Sequence, residues 1–282
     1  MSQQVGQYGA MTSTQNPQQR RARFSELHAR PDVFVMPNPF DVGSARMLAH
    51  AGFEALATTS AGFAWSQGVD DGQVTFDQLL EHVRAVASAV DVPLNVDSER
   101  LFADDLDGVA ANVTRLYEAG AAGCSIEDWN PVTGAIDPVD VAAARVGAAA
   151  QAAHVSGDPL VLTARCENFL HDVPDLDDTI ARLCAYRDAG ADCVYAPGLS
   201  TVEQIKAVVD GVGVPVNVLA WPTGPSVPDI GRAGGRRVST GGALASTAYG
   251  ALMAGARELL DSGTSAYLKI RLRPEDRAAL HD

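Results

Sequence analysis

The sequence predicts a single (β/α)8 barrel, and three observations carry that prediction. Eight short apolar runs recur along the chain, most of them followed by a polar turn and a helical stretch. Four helical stretches end in the same Ala-Gly pair, at 51–52, 119–120, 189–190 and 233–234, and glycine just past a helix supplies the left-handed cap. Pro93, Pro159 and Pro215 open three of the apolar runs, where a missing N–H is tolerated. A doubly wound sheet is the alternative arrangement of such units.

In chain order, residues 1–20 come first. They are rich in Gln, Ser, Thr and Gly and lack apolar periodicity, so they read as a disordered tail. The segment before Arg23 is expected to be dispensable. Residues 21–282 form one barrel domain with C-terminal helices. The strand runs are 33–36, 55–59, 94–96, 123–126, 160–163, 193–195, 216–219 and 237–239. The helical stretches include 76–90, 107–118, 138–154, 176–188, 202–209 and 246–260. The weakest helix is 227–233, which Pro228 and Gly231 interrupt.

Composition narrows the function. Hydrophobic residues make up 46% of the 282, enough for a large core. Lys and Arg number 21 against 35 Asp and Glu, a net charge of −14. That balance speaks against a general nucleic-acid or anionic-membrane surface, though not against a local site for a small anion. Four cysteines without paired spacing exclude a disulfide scaffold or a structural zinc motif. No apolar run is long enough to span a membrane, and no apolar signal region stands at the N-terminus. A cytoplasmic setting is the expectation.

A barrel carries its chemistry at the C-terminal ends of its strands. After strand two stand Ser60, Ala61 and Gly62, then Asp70, Asp71 and Gly72. Small residues there allow a backbone to approach a carboxylate or phosphate, or simply make a turn. After strand three, Asp97 and Glu99 are two apart and share a face on an extended segment. After strand four come Glu127 and Asp128. Four carboxylates converging on one mouth call for a cation, and oxygen ligands suit Mg²⁺, with Mn²⁺ also possible. After strand five, Arg165 is a natural partner for a substrate carboxylate or phosphonate, and Glu167 could orient it; a structural ion pair is the other reading. Asn217 on strand seven faces inward, and Thr240, Gly241 and Gly242 after strand eight can hold phosphate or serve packing. Cys124, Cys184 and Cys193 read as packing residues, and Cys166 points away from the mouth. His171 lies near the strand-five mouth, where it could support the site from behind.

Taken in order, NPFDVGSARMLAHAGFEALATTSAGFA, GVDDG, PLNVDSE, SIEDW, LTARCENFL and ADCVYAPG resemble the isocitrate lyase / phosphoenolpyruvate mutase superfamily over about residues 24–262. The branch most similar is the one called phosphoenolpyruvate mutase-like. The resemblance implies a barrel with Mg²⁺ at its mouth. It also implies a homotetramer, a dimer of dimers, whose last barrel helix is exchanged between partners. It implies that Asp97 is the direct metal ligand, that Glu99 stands in for the family's second acid, and that Glu127 binds through water. Asp71 matches the acid of the strand-two loop. Ser60, Ala61 and Gly62 match the loop that holds the substrate carboxylate. Arg165 and Asn217 match substrate-contacting residues.

The chain departs from the family's better-known members after strand four. It reads Trp129-Asn130-Pro131-Val132-Thr133-Gly134-Ala135-Ile136, where the isocitrate lyases carry Lys-Lys/Arg-Cys-Gly-His and the mutases Lys-Thr-Asn-Ser. After strand six, Ala196-Pro197-Gly198 replaces the Glu of the methylisocitrate lyases. The resulting expectation is a Mg²⁺-dependent lyase that cleaves a C–C bond of a small 2-oxo or 2-hydroxy di- or tricarboxylate through an enolate, with Arg165, Asp71 and Glu127 as catalytic groups. Phosphoenolpyruvate or phosphonopyruvate chemistry is one alternative, and a non-catalytic carboxylate-binding barrel is another.

Overall fold

The computed structural model describes residues 16–154 and 157–280. Eight parallel strands make one sheet: β1 (Phe34–Met36), β2 (Leu56–Ala57), β3 (Leu94–Val96), β4 (Gly123–Glu127), β5 (Val161–Arg165), β6 (Cys193–Tyr195), β7 (Val216–Leu219) and β8 (Arg237–Ser239). From β2 to β8 each strand pairs with its sequence neighbour, and β8 pairs with β1. The ring is closed between β1 and β2 by the Ala57 N–H, which donates to the Pro37 carbonyl at 3.1 Å, and by Asn38 Nδ2, which donates to the Thr58 carbonyl at 2.6 Å. The arrangement is therefore a barrel and not a doubly wound sheet.

The helices form where the sequence supplies caps and an apolar stripe. Phe76–Ala89 starts at Thr75, whose hydroxyl and Gln78 side chain form a reciprocal capping box. It buries Leu79, Leu80, Val83 and Val86, one face at helical spacing. Val202–Val212 repeats the device with Thr201 and Gln204. Gly52, Gly120, Gly190 and Gly234 follow their helices at φ between 93° and 113°, as the Ala-Gly pairs require. The helix over Val227–Arg232 forms despite Pro228, which sits in its first turn, where no N–H is needed. Alternating strand residues and inward helix faces merge into one core that includes Leu80, Val96, Leu116, Ile126, Leu162, Val194 and Ile205.

The N-terminus differs from expectation. A helix, Pro17–Ala29, begins inside the segment read as tail, capped by Asn16 and Gln19 with Pro17 in the first turn. Residues 1–15 of that segment lie outside the described residues. The helix closes the N-terminal end of the barrel: Phe24 and Leu27 are fully buried with Phe34, Ala55, Ala122 and Val161. Gly123 is required beneath it, since a Cβ there would lie 2.7 Å from the Phe24 ring and 2.7 Å from the Val161 carbonyl. Arg20 donates to the carbonyls of Ala87 and Val90, and Arg21 pairs with Asp158 while lying over the Tyr117 ring. Those contacts correct the expectation that everything before Arg23 is dispensable. The low apolar periodicity misled because this helix seals the barrel with few apolar residues and two buried arginines.

One further element was not foreseen. Trp129–Asn130 and Ala135–Ile136 form an antiparallel hairpin over the mouth, turned at Gly134 with φ 62°. Asp137 just after it pairs with Arg100 at 2.8 Å and accepts from Asn130 Nδ2 at 3.2 Å.

Candidate active site

Arg165, the last residue of β5, is the centre of the site. Its Nη1 donates to Asp97 Oδ1 at 2.6 Å, its Nη2 lies 3.2 Å from Glu127 Oε2, and its Nε donates to Glu167 Oε1 at 2.9 Å. The Tyr195 ring lies beneath the guanidinium, 5.5 Å from its carbon. Burial works against the charge on Arg165, but Glu167, Glu127 and Asp97 outweigh it and hold its pKa well above the ordinary value. Burial pushes the carboxyls of Glu127 and Glu167 up, and Arg165 opposes that rise in both.

Asp97 follows β3 and is fixed from several sides. Its N–H donates to Thr58 Oγ1 at 2.8 Å, and its Oδ2 accepts from the Ser60 N–H at 3.0 Å. Ser125 Oγ lies 3.4 Å from its Oδ1. Glu99 is placed differently from the extended reading: φ is 48° there, and Leu101 and Phe102 are also left-handed. Non-glycine residues in that region store strain and gather at functional sites. The Glu99 carbonyl accepts from the Glu127 N–H at 3.1 Å, which ties the two acidic segments together. Burial, then the charges of Asp97 and Asp71, raise the Glu99 carboxyl to about 7. Burial likewise raises Asp71, against the Ser60 hydroxyl.

Two adjoining cavities share Ser60, Asp71 and Arg165. The first, about 170 Å³, runs down the barrel past Asp97, Ala61 and Asn217 to Arg237. The second, about 310 Å³, opens beneath the hairpin and is lined by Glu99, Glu127, Trp129 and His171. Sequence reading thus placed Ser60, Ala61, Asp71, Asp97, Glu99, Glu127, Arg165 and Asn217 on one continuous cleft. Gly62 instead is buried within the short helix Ser60–Ser66, its N–H given to Thr59 Oγ1.

Two expectations need correction. Asp128 does not join the acidic cup. The chain turns at β4, so its carboxylate accepts from Tyr186 Oη at 2.6 Å and the Glu167 N–H at 2.9 Å, with Arg182 3.5 Å away. Glu167 and Asp71 fill out the cup in its stead. The glycine loop after β8 is no open phosphate cradle, because the N–H groups of Thr240 and Gly241 donate to Asn38 Oδ1 at 2.8 and 2.9 Å. Asn217 is buried and already engaged: it accepts from Arg237 Nε at 2.8 Å and donates to Ser239 Oγ at 2.9 Å. Thr58, Ser125 and Asn38 were missed altogether. Their only sequence signal was a polar residue in or beside an otherwise apolar strand. Cys166 is buried away from the cleft as expected, its thiol pushed up by burial.

Among the described residues, no three Asp, Glu, His or Cys side chains converge as a ready-made metal shell. The donor chemistry still fits a hard cation. Mg²⁺ is held by one or two carboxylates and keeps several waters. Four acids line this roomy cavity, Asp71, Glu99, Glu127 and Glu167, against two guanidiniums, of which Arg100 is already paired with Asp137 and only Arg165 sits among the acids.

The family described as phosphoenolpyruvate phosphomutase matches residues 24–260. A Burkholderia cenocepacia protein assigned as a lyase/mutase superposes with a TM-score of 0.88 at 44% identity, over 92% of this chain and 94% of its own. The oxaloacetate decarboxylase of Paraburkholderia xenovorans is 34% identical over 73% of this chain and 70% of its own. A 2,3-dimethylmalate lyase superposes with a TM-score of 0.81 at 25% identity, over 93% of this chain and 95% of its own. With the barrel, its acidic mouth and its central arginine already established, these similarities place the chain in the phosphoenolpyruvate mutase / isocitrate lyase superfamily.

Proposed function

We propose that the protein is a Mg²⁺-dependent lyase that breaks a C–C bond of a small 2-oxo or 2-hydroxy dicarboxylate or tricarboxylate. The observation that carries this reading is Arg165, a buried guanidinium held by three carboxylates at the floor of an acidic cleft. A cleft for a small anion needs a fixed cation, and Arg165 is pre-set by its partners in one orientation. Asp97, Glu99 and Glu127 are the groups that would hold Mg²⁺. When bound, the metal supplies charge to stabilise an oxyanion developing beside the breaking bond.

The chain's own residues do the rest. Arg165 grips the far carboxylate and aligns the substrate. Asp71, whose carboxyl burial pushes up, lies beside the Ser60 loop where it can accept or return a proton. Ser60 and Ala61 border the place where the near carboxylate sits, and Asn217 forms the wall opposite. The hairpin over Trp129–Ile136 shields the cleft from water. Similarity to an oxaloacetate decarboxylase and a dimethylmalate lyase supports the C–C reading, and the match to the phosphoenolpyruvate phosphomutase family keeps P–C cleavage as the alternative. A homotetramer with an exchanged C-terminal helix belongs to the same proposal. It is supported by Ala243–Ser262, a helix that leaves Leu252 and Leu260 64% and 86% exposed.

The deciding experiment assays 2-oxo acid product from oxaloacetate, 2,3-dimethylmalate, methylisocitrate, phosphonopyruvate and phosphoenolpyruvate, with Mg²⁺ and with chelator. Chelator-sensitive turnover of a carbon acid, abolished in Asp97→Ala, is expected. Turnover confined to phosphonopyruvate or phosphoenolpyruvate would establish the P–C reading. Ligand-induced stabilisation without product from any of them would make the barrel a binding protein.

A further inference from the structure

We infer that His171 is the acid that protonates the carbon released by cleavage. This rests on the lyase reading above, because only a reaction that passes through an enolate needs such a group. Cleavage leaves the electron pair of the broken bond on the carbon next to the carbonyl. That carbon must take a proton before product leaves, and the donor must stand in the cleft above the reacting atoms.

The cleft offers few donors. The hairpin roof, Trp129 to Ile136, contains no Cys, Lys, Arg or His. Cys124 and Cys166 are buried in the core behind the strands. Tyr195 lies under Arg165, and burial drives its hydroxyl well above the ordinary tyrosine value, so it keeps its proton. Arg165 is committed to three carboxylates. Arg100 is paired with Asp137. Asp71 is placed beside the Ser60 loop to take the substrate's own proton, and Glu99 and Glu127 are assigned to the metal, which leaves His171 as the unassigned donor on the wall of the same cavity. An imidazole is the side chain best suited to give and regain a proton near neutrality.

Its position is built rather than incidental. The 3₁₀ turn Asn168–Leu170 starts directly after Glu167, the residue that holds Arg165. The His171 N–H closes that turn onto the carbonyls of Glu167 and Asn168, both at 3.2 Å. The next residue, Asp172, is left-handed at φ 59°. The imidazole lies flat on Trp129, with ring centroids 3.4 Å apart and planes 7° apart. Stacking fixes the plane of the ring and leaves its nitrogen edge free. Among the described residues, no hydrogen bond engages either ring nitrogen. The Trp129 it rests on is itself held by the hairpin pair with Ile136. In the proposed step an N–H bond of the imidazolium breaks, the enolate π pair forms the new C–H bond, and the neutral ring takes its next proton from water.

The test reads protonation without the full reaction. Wild type with Mg²⁺ is incubated in D₂O with pyruvate, and with propionate or succinate in the presence of pyruvate. Exchange of the hydrogens next to the carbonyl is followed by proton NMR. Binding is followed separately as thermal stabilisation by oxalate, a planar enolate mimic. His171→Gln is expected to slow exchange at least 100-fold, to keep the oxalate stabilisation, and to regain part of the exchange when free imidazole is added. Trp129→Ala, which removes the stack alone, is expected to slow exchange about 10-fold. Exchange at the wild-type rate in His171→Gln would overturn the assignment and leave the lyase reading standing. Loss of exchange together with loss of oxalate stabilisation would make the ring a binding group and overturn it too. Absence of exchange in wild type would remove the lyase reading, and the assignment with it.

Discussion

Arg165 concentrates most of the electrostatics of this cleft in one side chain. Removing a buried cation leaves its carboxylate partners unpaired, and that typically costs about 3–5 kcal/mol. Asp97, Glu127 and Glu167 would all be left in this position. Arg165→Gln is therefore expected to lower unfolding stability by about 3 kcal/mol in chelator, measured by urea denaturation, and to cut kcat/KM at least 100-fold. Arg165→Lys keeps the charge but cannot reach three carboxylates at once, so it should recover part of the stability and little of the activity. Equal activity in Arg165→Lys and wild type would mean that charge alone suffices. The importance of this residue was legible from its place at the end of the fifth strand, two residues before Glu167 and next in order after the acids that end strands three and four. The role of Asp128 was not. Adjacent Glu127 and Asp128 look alike in sequence, and only the pleat, which sends neighbours to opposite faces, separates a cleft acid from a partner of Tyr186 and Arg182.

At the scale of elements, the strands were legible almost to the residue because each is a short apolar run, four of them just after an Ala-Gly cap and three opened by a proline. The hairpin at Trp129–Ile136 and the helix Pro17–Ala29 were not legible, since neither carries an apolar period. Both are held by tertiary contacts, the hairpin by Arg100 through Asp137 and the helix by buried arginines. The N-terminal helix also reaches the barrel floor. His28 Nδ1 sits 2.8 Å from the Phe24 carbonyl, and its Nε2 lies 3.0 Å from Arg237 Nη1. Burial, then Arg237, lowers the His28 pKa to about 3. Below the unfolded value of 6.5 the unfolded chain binds a proton that the folded chain refuses, so stability falls with pH from about 6.5 toward 3. By pH 5 this one group should have cost about 2 kcal/mol. His28→Gln should lack that increment, so the difference in stability between pH 7.5 and pH 5 should shrink by the same amount in urea unfolding. An unchanged difference would show that His28 stays neutral in neither state more than the other. For the same helix, Arg21→Ala leaves the carboxylate of Asp158 with Tyr117 alone and should cost about 3 kcal/mol.

For the whole molecule the governing quantity is charge. The proposed substrate is an anion that must enter an acidic cup on a chain of net charge −14, where the single charge of Arg165 is outnumbered by Asp97, Glu127 and Glu167. Anion binding without an added cation would place like charges together in a partly dry cleft, which is unfavourable. Oxalate is therefore expected to stabilise the protein only when Mg²⁺ is present. At a ligand concentration 100 times the dissociation constant the stabilisation is about 2.7 kcal/mol, equivalent to a rise in melting temperature of about 5 °C for a chain of this size. Chelator should abolish the rise, and Asp97→Ala should abolish it in Mg²⁺ as well, because Asp97 is held in place at its backbone by Thr58 and at its carboxylate by Ser60 and Ser125. Salt separates this from a diffuse effect of charge. Raising ionic strength to 0.5 M NaCl shortens the Debye length to about 4 Å and screens the net charge but hardly touches a chelate inside the barrel, so it should leave the Mg²⁺-dependent shift in place. An oxalate shift that is independent of Mg²⁺ and fades with salt would mean that the anion is held by exposed basic residues, and that the acidic mouth of this barrel is not its binding site.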